Sequence, residues 1–252
     1  MFVNQIFLAN NAFIDAYTQS DYLGKLIFIG LLVLSICSWV LISQKWWITF
    51  QARKHSEQFY KAFEIQRMNP LGMELGKDKK RGYQPNPFNE LYFVLKKYTL
   101  EVLNKNRRFG QKNGVAPENT VSYLSPTDID FVQSHLMSSV ANQTKYLEKN
   151  LFILSTIVSL APFLGLLGTV WGILSTFSEL QTNTSGSGHG MVLGGISLAL
   201  ATTVLGLIDA IPALIGYNYL KNSVRDFQID MEGFSNELLA SVEMYYRKVD
   251  VS

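Results

Sequence analysis

Four polar side chains stand inside otherwise apolar stretches: Thr169, Thr202, Thr203 and Asp209. A carboxylate within an apolar span is costly, so such a group usually faces a bundle interior or a water-filled cavity. The spacing therefore predicts a polar patch inside a helix bundle. Two other interpretations stay open, because a threonine can bond to a carbonyl of its own helix and Asp209 can pair with a partner's basic side chain near the cytoplasmic interface.

These residues lie in the later two of three long apolar runs. The first run, Leu26–Ser43, and the second, Leu151–Ser178, carry no charge, and between Met191 and Leu220 the only charge is Asp209. About 20 helical residues cross a hydrocarbon core. We therefore predict an all-α integral membrane protein with three transmembrane helices. Buried helices of a soluble protein are disfavoured, since three such runs would have to occur within 252 residues.

Small residues recur in the second and third runs at alternating intervals of four and three, which keeps them on one helix face. In membranes such a face marks a seam where helix backbones approach closely. The predicted seam comprises Ala161, Gly165, Gly168 and Gly172, and Gly195, Ala199, Gly206 and Ala213. Pro162 and Pro212 lie within these runs and predict kinks without ending the helices.

Basic residues set the predicted orientation. Of 22 Lys and Arg, 17 lie between Lys45 and Lys149, and four lie after Asn218. Cytoplasmic flanks of spans are enriched in Lys and Arg, so the N-terminus is predicted outside and the C-terminus inside. The predicted layout is an external segment (1–22), a first span (23–47), a cytoplasmic helical domain (48–150) with a flexible loop near 69–88, a second span (151–178), an external loop (179–190), a third span (191–217) and a cytoplasmic tail (218–252).

Local signals outside the spans predict further helices. Ser125-Pro126-Thr127-Asp128 is a strong helix start, and without a later stop signal we expect one helix from about 126 to 178. After Pro212, apolar residues recur at helical spacing and predict an amphipathic helix in the tail. These positions are Leu220, Val224, Phe227, Met231, Phe234, Leu238, Val242 and Tyr245. The basic run near 69–88 is interpreted as a solvated loop, with attraction to anionic headgroups as the alternative.

Motifs for enzymatic chemistry, metal binding or cofactor binding are not found in the sequence. The stretch SGSGHG at 185–190 has no Lys-Ser or Lys-Thr after it, so it does not match a phosphate-binding loop. The three histidines lack metal-ligand spacing. We expect no enzyme activity, no cofactor and no nucleic-acid partner.

Two sequence strings carry a family resemblance. FLGLLGTVWGIL at 163–174 and GISLALATTVLGLIDAIPALIGYN at 195–218 resemble the TolQ/ExbB branch of the MotA/TolQ/ExbB proton channel family. The first span, GKLIFIGLLVLSICSWVLI, is most similar to TolQ members. A MotA-like stator subunit is the less favoured relative, since it would have four spans.

The resemblance implies an inner-membrane motor component that forms a pentameric ring around a TolR/ExbD-type single-span partner. Proton flow would energise a TolA/TonB-type protein acting on the outer membrane, for envelope integrity or import. It implies that the essential proton-binding aspartate belongs to the partner. This chain would line the pathway with Thr169 and Thr203, which match the family threonines. We add Thr202 and Asp209 as lining residues because both lie on the small-residue seam of the third span.

The chain departs from the family pattern in its third span. Leu198 stands where many members carry glutamate, and Asp209 stands where relatives usually have a small residue. We hypothesise that Asp209 supplies a polar lining nearer the cytoplasm. A non-conducting scaffold remains the alternative of another class, and a solute transporter is disfavoured because three spans provide no repeated halves.

Overall fold

The computed structural model describes residue 17 and residues 21–67, 69–73, 86–112, 123–182 and 188–246. Several predicted segments therefore lie wholly or partly outside the described residues. They are most of the external segment 1–22, most of the flexible loop near 69–88, the centre of the loop 179–190 and the end of the tail.

The described chain is almost entirely helical, so the all-α prediction is confirmed. Its helices are α1 (Tyr22–Ile65), α2 (Pro87–Lys112), α3 (Pro126–Glu148), α4 (Leu151–Thr182) and α5 (Gly188–Tyr246). Helices α1, α4 and α5 are each long and apolar enough to cross a membrane. The predicted three spans are thus confirmed by length and composition. Both Pro162 and Pro212 lie inside continuous helices, while the kinks themselves stay a prediction.

One compact unit comprises residues up to 44 and residues 150–220. It contains the first part of α1, all of α4 and the first part of α5. Its buried cluster joins all three helices through Ile27, Leu31, Ala161 and Ala210. Because two of these four residues are alanines, the helix backbones approach one another closely at the centre of the unit.

The second compact unit comprises residues 45–149 and 221–252, and its core is aromatic. The ring of Phe234 stacks on Phe88 with centroids 4.3 Å apart and meets Phe63 edge-on at 5.6 Å. The amphipathic stripe predicted for the tail is confirmed by burial at all its positions except Tyr245, which is 56% exposed. The prediction was therefore wrong at that last position.

The prediction of one continuous helix from 126 to 178 was wrong. Helix α3 ends at Glu148, and α4 begins at Leu151. Between them Asn150 adopts a positive φ of 71°, a conformation that asparagine tolerates better than most residues. The amide of Lys149 donates to the carbonyl of Lys145, and the Lys45 ammonium donates to the carbonyl of Leu147 at 3.1 Å. These bonds satisfy carbonyls that a helix end leaves without partners.

The predicted start of α3 is confirmed as a reciprocal capping box. The Ser125 hydroxyl accepts from the Asp128 amide at 3.2 Å, and the Asp128 carboxylate accepts from the Ser125 amide at 3.0 Å. Asn106 also donates to this carboxylate at 2.9 Å. Burial alone would raise the pKa of Asp128, but hydrogen bonds from Ser125 and Asn106 hold that pKa below its ordinary value. The resulting stabilisation is present at neutral pH and is lost as the pH falls through the lowered pKa.

Replacing Ser125 with alanine should lower the free energy of unfolding by about 1 kcal/mol, because loss of an N-cap side chain leaves helix amides unsatisfied. Denaturant titration of the full chain at neutral pH measures the change. Ser134→Ala on the same helix is the matched control, since its hydroxyl bonds only to the Phe131 carbonyl of its own helix among the described contacts. Equal losses in the two variants would contradict the role of the cap.

Candidate functional site

Helices α4 and α5 approach most closely where both carry glycine. A methyl group added to Gly206 would lie 2.7 Å from the carbonyl oxygen of Ala161 and 3.2 Å from the Cα of Gly165. A methyl group added to Gly165 would lie 3.0 Å from the carbonyl oxygen of Thr202. Backbone atoms cannot rotate away as the end of a side chain can. Position 206 therefore requires glycine at this helix distance, and an added carbon at Gly165 would force the facing backbone to shift by a few tenths of an ångström.

The residue pairs that face each other across α4 and α5 show the relative direction of the two helices. In order along α5 they are Gly195 with Thr176, Ala199 with Gly172, Thr202 with Gly168, and Gly206 with Gly165 and Ala161. Numbers rise on α5 as they fall on α4, so the helices are antiparallel. The structure thus brings the predicted seam residues of the second and third spans together at these positions. Ala213, the last of the predicted set, is fully buried.

Two threonines of α5 lie at the centre of this seam. Thr202 is 1% exposed, and its hydroxyl donates to the carbonyl of Ala199 at 2.7 Å, with the carbonyl of Gly165 at 3.4 Å. The Thr203 hydroxyl donates across the helix pair to the same Gly165 carbonyl at 3.0 Å. Both hydroxyls are therefore satisfied within one subunit.

Thr169 is partly buried, as Thr203 is, but its hydrogen bond lies on the exposed side of the helix pair, whereas the bond of Thr203 lies between the helices. Its hydroxyl donates to the carbonyl of Leu166 in its own helix at 2.7 Å, the self-bonding alternative weighed from the sequence. In an α-helix the Gly165 carbonyl pairs with the amide of residue 169, and the same carbonyl receives the Thr203 hydroxyl. Thr169 and Thr203 therefore lie at one level of the helix pair, with Thr169 on the more open side.

The exposed face of α4 beside Thr169 is apolar. Large side chains at helical spacing form it: Leu166, Val170, Ile173 and Phe177, each more than 40% exposed. A face of this kind is suited to lipid or to a neighbouring helix. Thr169 is thus a partly buried hydroxyl next to an otherwise apolar surface.

Asp209 lies elsewhere, between α5 and α1. It is 5% exposed, and its Oδ1 lies within hydrogen-bond distance of the Ser38 hydroxyl of α1, at 3.2 Å. One helical turn beyond Pro212, a methyl group on Gly216 would meet the side chain of Ile42 of α1. The small-residue stripe of α5 therefore packs on α4 over its first half and on α1 over its second. Pore lining by Asp209 and Thr202 stays a prediction, and within one chain both side chains are buried between helices.

Sequence reasoning missed two polar contacts of the first span. The Trp171 indole donates through Nε1 to the Asp21 carboxylate at 2.6 Å, and the same carboxylate accepts from the Gly24 amide at the start of α1. Ser38 was the second omission. Its signal was the pair of serines three residues apart, Ser35 and Ser38, inside a strongly apolar run.

Comparison with known proteins gives a family for this chain. The sequence model of the MotA/TolQ/ExbB proton channel family matches residues 108–233, which is half of the chain and contains α3, α4 and most of α5. The match includes the whole α4–α5 seam and Asp209.

The individual relatives are named either ExbB or TolQ. The chain is 43% identical over 109 residues to the biopolymer transport protein ExbB of Aquifex aeolicus, covering 42% of this chain and 70% of that protein. It is 28% identical over 229 residues to the Tol-Pal system protein TolQ of Haemophilus influenzae, covering 89% of this chain and 91% of the relative. It is 28% identical over 233 residues to ExbB of Pseudomonas putida, covering 90% of this chain and 62% of that protein.

Proposed function

This chain belongs to the MotA/TolQ/ExbB proton channel family, and on that premise we propose that it is the ring-forming subunit of a proton-driven motor in the inner membrane. In this proposal five copies surround the transmembrane helices of a TolR/ExbD-type partner. Proton flow through the complex energises a TolA/TonB-type protein that acts on the outer membrane. The chain itself performs no enzymatic reaction.

The observation that carries the proposal is the level shared by Thr169 and Thr203 on the antiparallel pair α4 and α5. The Thr203 hydroxyl bonds across the helix pair to the Gly165 carbonyl at 3.0 Å, while the Thr169 hydroxyl bonds on the exposed side of its own helix, beside an apolar face. A partner helix that lies on this face would find one hydroxyl group of this chain opposite it. Such a hydroxyl can accept a hydrogen bond from a protonated carboxyl group and so stabilise a proton in transit.

Charge distribution supports the orientation in the proposal. Most Lys and Arg lie between Lys45 and Lys149 or after Asn218, which favours a cytoplasmic location for these segments and an external N-terminus. Sequence identity does not separate a TolQ-like role from an ExbB-like role, because relatives of both names are 28% identical over similar lengths. The identity of the partner protein would separate them. The first span favours a TolQ-like role in envelope integrity.

A second candidate function is a non-conducting scaffold that holds a membrane partner. The observation in its favour is Leu198, which stands where the family resemblance leads one to expect glutamate. Three further polar residues of α5, Thr202, Thr203 and Asp209, already have hydrogen-bond partners within one subunit. A scaffold would need the close helix packing but no accessible proton-binding group.

Proton flux separates the two candidates. The full chain is reconstituted into liposomes with and without a TolR/ExbD-type single-span protein, and internal pH is followed with a trapped dye after a membrane potential is imposed. The motor proposal expects flux with the partner well above the flux of either protein alone. Assembly with the partner but no flux above that of empty liposomes would support the scaffold.

Replacing Thr169 with valine should reduce partner-dependent proton flux at least about tenfold, the effect of losing roughly 1.4 kcal/mol of stabilisation in transit. Valine keeps the size of threonine but removes the hydroxyl. Because that hydroxyl bonds only within its own helix among the described contacts, folding and assembly with the partner should remain normal. Flux and co-purification with the partner are measured on the same preparation.

Thr156→Val is the matched control for this experiment. Thr156 is an exposed threonine of α4 whose hydroxyl also bonds to its own helix, at the Phe152 carbonyl. We expect wild-type flux from this variant. Full flux in Thr169→Val, or equal losses in both variants, would exclude a specific role of Thr169.

A further inference from the structure

The carboxyl group of Asp209 is a buried acid with an incomplete set of partners. Its side chain lies within an apolar stretch of α5 and is 5% exposed. Oδ1 lies 3.2 Å from the Ser38 hydroxyl oxygen, whereas Oδ2 is buried and makes no hydrogen bond within the described part of the chain. A second serine of α1, Ser35, interacts with the same carboxyl group. An ionised carboxylate would need more donors than these two hydroxyls provide.

No cation faces Asp209 from the helices packed around it, as far as the described residues go. Two ion pairs, Lys61–Glu57 and Arg67–Glu237, involve residues of the second compact unit only. Helix α4 has no ionisable residue between Leu151 and Ser178. On α1, Lys25 lies 13 residues before Ser38, or about 20 Å along the helix.

The remaining ionisable groups near this level also leave Asp209 without a counter-charge. Cys37 of α1 is exposed, and Tyr217 of α5 lies eight residues beyond Asp209, about 12 Å along the helix. Lys45, the next basic residue of α1, donates to the carbonyl of Leu147. An uncompensated charge at a site like this is strongly disfavoured.

The geometry of Ser38 indicates which form the acid takes. A serine hydroxyl has one hydrogen to donate and two lone pairs with which to accept. The Ser38 Oγ lies 2.8 Å from the carbonyl oxygen of Ser35 and 3.2 Å from Asp209 Oδ1. The shorter distance favours donation of the Ser38 hydrogen to the Ser35 carbonyl. The bond between Ser38 and Asp209 is then complete only if the carboxyl group carries a hydrogen and donates it to Ser38.

We propose that Asp209 and Ser38 form a proton-binding site inside the single subunit, between α1 and α5, which is occupied when the two helices are packed as in this structure. The proposal does not rest on the proposed motor function, since every residue of the site belongs to one chain. The site is also distinct from the level of the α4–α5 pair at which Thr169 and Thr203 lie. Asp209 lies six residues beyond Thr203, about 9 Å along the helix.

Binding and release involve only a proton and a change of hydrogen-bond direction. On binding, a proton from water adds to a carboxylate oxygen of Asp209, and the new O–H donates to Ser38 while Ser38 donates to the Ser35 carbonyl. On release, the proton returns to water, and the Ser38 hydroxyl turns its one hydrogen from the carbonyl to the carboxylate. The Ser35 carbonyl keeps its ordinary helix bond in both states, so α1 remains helical.

Infrared spectroscopy of the full chain in lipid bilayers tests the site without a partner protein. We expect a carbonyl band of a protonated carboxyl group at neutral pH that disappears in Asp209→Asn and persists in Asp230→Asn, an exposed acid of α5. The band should shift in Ser38→Ala, because the carboxyl O–H loses its acceptor, and it should disappear on titration to alkaline pH.

Three results would overturn the proposal. One is the absence of a protonated carboxyl band at neutral pH, and another is a band that persists in Asp209→Asn. The third is loss of the band on adding sodium ions at constant pH, which would assign the site to a metal cation. If Asp209→Asn does not fold, the infrared spectrum of Ser38→Ala tests the proposal instead. An unshifted carboxyl band in that variant would also exclude the site.

Discussion

Replacing Gly206 with valine should lower the free energy of unfolding by about 3 kcal/mol, the upper part of the range for overpacking a tight interior. Even the first added carbon would lie 2.7 Å from the carbonyl oxygen of Ala161 and 3.2 Å from the Cα of Gly165. These are backbone atoms of α4, so the helices must separate to admit the side chain. Separation also breaks the bond from Thr203 to the Gly165 carbonyl, and partner-dependent proton flux should be lost with it.

Gly30→Val is the matched control for the seam. Gly30 is a glycine of α1 at which an added methyl group would meet nothing within 4 Å. We expect this variant to change the free energy of unfolding by less than about 0.5 kcal/mol, as is usual for sites away from close contacts. Denaturant titration in detergent micelles and proton flux in liposomes are measured for both variants. Equal stability of Gly206→Val and the wild type would mean that α4 and α5 do not pack this closely.

Replacing Phe234 with alanine should cost about 4 kcal/mol of folding free energy, as is typical for removing a buried phenylalanine side chain. Its ring stacks on Phe88 at 4.3 Å and makes edge contacts with Phe63 at 5.6 Å and Tyr60 at 5.8 Å. Truncation leaves a cavity that the α1, α2 and α5 side chains around it cannot all fill. Loss of hydrogen-exchange protection in residues 45–65, 87–112 and 221–246 measures the effect.

Phe93→Ala provides the comparison, because Phe93 is a residue of α2 that is 49% exposed. Its truncation should cost about 1 kcal/mol, since about half of the residue stays exposed to water in the folded chain. If Phe234→Ala and Phe93→Ala lose protection equally, then Phe234 is not the centre of the aromatic core. The comparison does not depend on any partner protein.

Much of the fold follows from local patterns that the sequence displays directly. Uncharged runs such as Leu151–Ser178 specify membrane-length helices, since their length and apolarity are properties of contiguous residues. Alternating intervals of four and three place Gly165, Gly168 and Gly172 on one helix face. The start at Ser125 was equally local, because a capping box joins residues only three apart.

The structure decided which neighbour each face meets. Helical periodicity predicts that Gly206 and Asp209 share a face of α5. It does not predict that Gly206 contacts α4 while Asp209 contacts Ser38 of α1. The bond from Ser38 to Asp209 joins residues 171 positions apart. A contact of this range depends on how three helices pack together.

The break between α3 and α4 shows the same division between sequence and structure. Asn150 was a visible signal, since asparagine often follows a helix end, but helical propensity on both sides allowed one continuous helix. At the break in the structure, Asn150 has a positive φ, and the Lys45 ammonium donates a hydrogen bond to the Leu147 carbonyl. By itself, then, the sequence determined the helices, their spans and the faces they present. Only the tertiary structure decided which faces meet and where a helix ends, because those choices depend on contacts between residues far apart in the chain.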